Sequence, residues 1–87
     1  MSRFGKLLLI VLRGTSDANL AFDDLCYVLR HLGFVVRVNG DHHIFSHPEI
    51  EEIVNVQPRN GKAKPYQVKQ VRHIILKYGW GGEPDEQ

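Results

Sequence analysis

Residues 34–48 read FVVRVNGDHHIFSHP, and the placement of Asn39-Gly40 within them decides the fold. Phe34, Val36 and Val38 alternate in part with Val35 and Arg37, the two-residue period of a strand. Asn-Gly is the strongest short hairpin signal, because both central residues of a type I′ turn need positive φ. A second strand then spans His42 to His47, and Pro48 closes it. With Asn39 and Gly40 as the loop residues, Val38 faces Asp41, Arg37 faces His42, Val36 faces His43 and Phe34 faces Phe45. Directly opposed residues share a face. Phe34, Val36, His43 and Phe45 therefore fall on the core side, with Arg37 and His42 together on the other. A one-residue change in the loop would reverse that assignment.

Before the hairpin, Phe22, Leu25, Leu29 and Leu32 recur at three- and four-residue spacing, an amphipathic helix of about three turns. Asp23 and Asp24 suit the dipole at its start, and Gly33 ends it. Upstream, RFGKLLLIVLR (residues 3–13) reads as a short helix stopped by Gly14. Leu7 through Leu12 are all apolar, so that helix is either wholly buried or meets a second chain, which would make a homodimer. After the hairpin, residues 51–57 supply a third strand and 58–64 (PRNGKAK) a basic loop. Pro65 suits the first position of a last helix. Its apolar stripe is Val68, Val71, Ile75 and Tyr78, and Gly79 ends it. The fold class is α+β: a three-stranded antiparallel sheet with the helices packed on one face. Residues 1–80 form a single domain, and 81–87 (GGEPDEQ) an acidic tail.

Composition narrows the options. At 87 residues the chain buries only roughly 60% of its unfolded surface, so stability is modest. Its one cysteine, Cys26, excludes an intrachain disulfide and fits a reducing cytosol. It lies in the apolar helical pattern and reads as a small buried hydrophobe. The longest apolar run, Leu7–Leu12, is far short of the ~20 residues that span a bilayer. A cytoplasmic protein with no membrane partner is expected.

The net charge of +1 hides an uneven distribution. Residues 58–78 hold Arg59, Lys62, Lys64, Lys69, Arg72 and Lys77 and no acid. Lys62 and Lys64 stand beside the start of the last helix, where cations oppose the macrodipole. That placement is explained if an anion such as phosphate docks there.

Three histidines, His42, His43 and His47, lie within six residues. As metal ligands they fail on geometry. Neighbours on a strand point to opposite faces, and His43 and His47 stand about 13 Å apart at 3.3 Å per residue. No metal and no cofactor is expected. An accessible imidazole on a basic protein suits RNA chemistry instead. RNA carries its own nucleophile, the 2′-hydroxyl, and imidazole titrates near neutral pH. The residues alone leave two readings open, an RNA- or phosphate-binding domain and a metal-free ribonuclease.

The stretch GDHHIFSHP resembles the G-S-H-x-x-F/Y-x-H-P hallmark of HicA-type toxins, small bacterial mRNA interferases with a double-stranded-RNA-binding-domain-like fold. A helix ending LRHLGF before the first strand, and GKAKPYQVKQVRHIILKYG at the last helix, agree in order from about Phe22 to Tyr78. The resemblance implies an α-β-β-β-α core with an added N-terminal helix. It implies that His42 is the catalytic histidine, that the substrate is mRNA, and that a HicB-type antitoxin covers the site. It also implies that Lys62 and Lys64 meet RNA phosphates; Arg37 and Lys69 complete the candidate phosphate contacts. His47 matches the second hallmark histidine and is taken as structural. His43 is the alternative catalytic group. Asp41 stands where the family usually has serine, and its carboxylate would attract imidazolium and repel phosphate. The rival readings are a non-catalytic RNA-binding module and a protein-interaction domain.

Overall fold

A computed structural model describes residues 2–81; the acidic tail beyond Gly81 lies outside them. The element order is α1 (Arg3–Arg13), a 3-10 turn (Asp17–Asn19), α2 (Phe22–His31), β1 (Val35–Asn39), β2 (His42–Ser46), β3 (Val54–Val56) and α3 (Pro65–Lys77). The three strands make one antiparallel sheet in the order β1-β2-β3. The arrangement is α+β and double-stranded-RNA-binding-domain-like from α2 onward, with α1 added in front.

The helices form where capping and periodicity place them. Ser2 Oγ accepts the Gly5 N–H at 3.0 Å and caps α1. Pro65 opens α3, and the buried Gln67 accepts the Lys64 N–H through Oε1 at 3.2 Å. Leu25, Val28 and Leu29 of α2 and Val68, Val71 and Ile75 of α3 are buried together with Phe34, Phe45, Val54 and Val56 of the sheet side. α1 packs on both α2 and α3. Of its apolar run, Leu7, Leu8 and Val11 are buried and Leu9, Ile10 and Leu12 are half-buried. The chain itself therefore covers most of that run, and the homodimer reading gains no support from it. No helix of the described residues is long and apolar enough to cross a membrane.

The hairpin departs from the expected register. Asn39 pairs with His42, Val38 with His43, Arg37 with Ile44 and Val36 with Phe45. The loop residues are Gly40 and Asp41, and of the two only Gly40 has positive φ, at 65°. Glycine first with a negative-φ residue second is the pattern of a type II′ turn, which Gly-Asp satisfies as well as Asn-Gly satisfies type I′. Arg37 thus does not face His42 directly. Sliding a two-residue loop by one position moves each partner by two, so every side chain keeps its face. Phe34, Val36, His43 and Phe45 remain on the core side, and Arg37 and His42 on the open side.

The third strand is shorter than the expected 51–57. Residues before Val54 lie outside the sheet, and Glu52 among them reaches the end of α3. There its carboxylate accepts from Lys77 Nζ at 2.6 Å and from the Tyr78 hydroxyl at 2.7 Å. Between α2 and β1, Gly33 sits at φ 101°, and a Cβ there would lie 2.9 Å from His47 Nε2. Glycine is required on both counts.

Candidate active site

His42 begins β2 on the open face of the sheet. Its Nδ1–H donates to Asn55 Oδ1 of β3 at 3.0 Å. Asn55 can reach it because it pairs with Ile44, two residues along β2 on the same face. An acceptor at Nδ1 places that proton there and leaves Nε2 with its lone pair when the ring is neutral. Nε2 lies 3.9 Å from Asp41 Oδ1, and the side chain is 45% exposed. The other Asp41 oxygen accepts from Gln57 Nε2 at 3.4 Å. The result is an oriented, solvent-reachable imidazole able to take or give a proton at Nε2.

The other two hallmark-region histidines are spent elsewhere. His47 donates from Nε2 to the Leu32 carbonyl at 3.0 Å, and its Nδ1 accepts the Glu49 N–H at 3.1 Å. Its ring lies against Phe34 at 5.1 Å and Trp80 at 4.7 Å. Both nitrogens are satisfied, and the ring pins the β2 exit to the end of α2. His43 turns to the core side, with its ring edge-on to Phe22 at 5.0 Å. The three rings thus point to three places. Among the described residues, no group of three His, Cys, Asp or Glu side chains gathers to hold a metal.

The basic segment divides in two. Arg72 and Lys77 hold the fold: Arg72 forks onto both Asp17 carboxylate oxygens at 3.0 and 3.1 Å and onto the Val11 carbonyl, and Lys77 binds Glu52. Lys62, Lys64 and Lys69 are held differently. Lys62 Nζ reaches only the neutral Asn19 Oδ1, at 3.3 Å, Lys64 caps α3 through its backbone, and Lys69 stands exposed on α3. Lys62 and Lys64 line a hollow of about 440 Å³ with Arg59 and Tyr66. Phe22 ties this loop to the hairpin. Its N–H donates to the Gly61 carbonyl at 3.0 Å while its ring carries His43. Arg37 is exposed on the His42 face and diagonal to it, about 7–8 Å away for such pairs.

The sequence reading did not single out Asn55 or Gln57, since only the β2–β3 register brings them to the hairpin. Cys26 is buried in α2, and burial, then the neighbouring Asp23, push its thiol up to about 11. At neutral pH it is a protonated, unreactive core group. Beside His42, the open sheet face carries a shallow apolar groove lined by Val35, Ile44 and Ile53, with Val35 64% and Ile53 58% exposed.

The family model for the HicA toxin of bacterial toxin–antitoxin systems matches residues 22–80, more than half of the chain. Comparison with curated proteins and with solved structures returned no match.

Proposed function

This chain belongs to the HicA toxin family of bacterial toxin–antitoxin systems, and from that premise we propose that it is a metal-independent endoribonuclease acting on mRNA through His42. The observation that carries the reading is the His42 ring, fixed at Nδ1 by Asn55 and open at Nε2. Nε2 takes the proton from an RNA 2′-hydroxyl. The 2′-oxygen then bonds to the adjacent phosphorus, the bond to the 5′-oxygen breaks, and the leaving oxygen takes a proton from water. The products are a 2′,3′-cyclic phosphate and a 5′-hydroxyl. Lys62, Lys64 and Lys69 hold substrate phosphates, and Arg37 supplies charge on the catalytic face. A HicB-type antitoxin silences the toxin in the cytoplasm by covering His42, with the groove at Val35, Ile44 and Ile53 as its apolar footing.

The test is cleavage of a single-stranded transcript with EDTA present, comparing wild type, His42→Ala and His43→Ala. Cutting that is lost only in His42→Ala is the expected result. Loss only in His43→Ala would move the chemistry to the core-side ring. A folded wild type that binds RNA without cutting it would leave a binding module instead.

A further inference from the structure

The proposed chemistry leaves Tyr66 unused, and nothing in the fold accounts for it. Every other tyrosine and phenylalanine of the described residues is engaged or buried. Tyr27 carries Arg3 and His31, Tyr78 stacks on Trp80 and bonds Glu52, Phe4 stacks on His31, Phe22 and Phe34 carry histidines, and Phe45 is 1% exposed. Tyr66 is 62% exposed, and no ring or cation of the described residues stacks on it. It is the aromatic wall of the hollow whose other lining includes Arg59, Lys62, Lys64 and Ala63, with no carboxylate. The volume, about 440 Å³, is in the range of small-ligand clefts and exceeds what a nucleobase needs.

The backbone that carries the ring is fixed without a ligand. Tyr66 follows Pro65 in the first turn of α3. The preceding loop is closed by reciprocal Arg59–Lys62 backbone hydrogen bonds of 2.9 and 3.0 Å and by the Ala63 N–H to the Leu20 carbonyl at 2.9 Å. A free aromatic face on a rigid base, ringed by cations, is how proteins hold single-stranded nucleic acid. The cations follow the backbone while the ring stacks on a base. A duplex offers no such face, because its bases already stack on each other.

We infer that Tyr66 is a stacking platform for one unpaired base of the RNA, beside phosphates held by Lys62 and Lys64. The inference rests on the ribonuclease reading above and narrows its substrate to strands with an unpaired base next to the contacted phosphates.

The test uses short single-stranded RNA with 2′-fluoro sugars, which lacks the nucleophile and is not cut whichever histidine acts. Fluorescence anisotropy compares the full chain with Tyr66→Ala, Tyr66→Phe and Lys62→Ala, on the intact strand and on strands with one abasic position each. Tyr66→Ala is expected to weaken binding about tenfold or more, with Tyr66→Phe near wild type. One abasic position should cost wild type a similar factor and cost Tyr66→Ala nothing further. The salt dependence should fall in Lys62→Ala and stay unchanged in Tyr66→Ala. Unaltered affinity in Tyr66→Ala, or equal sensitivity of both proteins to every abasic position, overturns the platform. If His42-dependent cutting of ordinary RNA persists in that event, only the platform fails. If wild type neither cuts nor binds RNA, both readings fail.

Discussion

At the scale of single residues, the site turns on which nitrogen of His42 is free. A histidine on a strand end rotates about two side-chain bonds, and only a partner on one nitrogen fixes which face the other presents. Asn55 is that partner, at 3.0 Å. Asp41 is the counterweight: its carboxylate stands 3.9 Å from Nε2, and on the proposed reading it opposes an approaching phosphate. Gln57 holds its other oxygen toward β3. On the proposed reading Asn55 acts as a positioning residue, through its hydrogen bond to the His42 ring. Asn55→Ala is expected to lower kcat about fivefold, the size of one lost hydrogen bond of roughly 1 kcal/mol, with KM little changed. Steady-state cleavage of a labelled RNA checks it. A rise in KM at constant kcat would mean that Asn55 binds RNA and does not orient the base.

At the scale of elements, the hairpin was legible in its residues and the pairing was not. The alternation of Phe34, Val36 and Val38, followed by Asn-Gly, names two strands and a two-residue loop. It does not say which two residues, because Asn39-Gly40 and Gly40-Asp41 both supply a glycine where positive φ is needed. The faces survived because the two choices differ by two in register. Asn55 was out of reach for a related reason: nothing local fixes where β3 starts. The strand begins only at Val54, and just before it Glu52 makes a long-range contact with Lys77 and Tyr78. The same distance in sequence hid the structural roles of Arg72 and Lys77, which share a cation's letter code with the lysines of the basic loop.

Glu52 gives this level its own prediction. Hydrogen bonds from Lys77 and then Tyr78 pull its carboxyl down from 4.5 to about 2. The folded value lies below the unfolded one. The contact therefore stabilises the fold fully above pH 4.5, and its contribution is lost as the pH falls through about 2. Lys77 is 54% exposed, so solvent screening keeps the effect small. In urea titrations, Glu52→Gln should unfold earlier than wild type at pH 7, and the gap between them should close between pH 4.5 and 2. A gap that stays constant with pH would mean that the Glu52 charge contributes nothing and only its packing matters.

At the scale of the whole molecule, the segment matched by the family begins at residue 22, after α1. The added helix is nonetheless part of the core. Leu7, Leu8 and Val11 are 7%, 9% and 0% exposed, and they close the groove between α2 and α3. Burying such side chains is worth about 1.5–3 kcal/mol each. α1 also supplies a polar contact, since the Val11 carbonyl accepts one hydrogen bond from Arg72 while Asp17 accepts two. Arg3 lies over the Tyr27 ring at 4.1 Å and ties the start of α1 to α2. Small domains are stable by only about 5–15 kcal/mol. Three buried aliphatic side chains together with the Arg72 contact are comparable to that whole margin. A chain shortened to residues 15–87 is therefore expected to lose its cooperative thermal transition, followed by near-ultraviolet circular dichroism. Leu8→Ala in the full chain should keep the transition and lower its midpoint, because it leaves a cavity and not an open groove. If the shortened chain melts cooperatively near the full-length midpoint, the segment from residue 22 is self-sufficient and α1 is an accessory laid on a finished core.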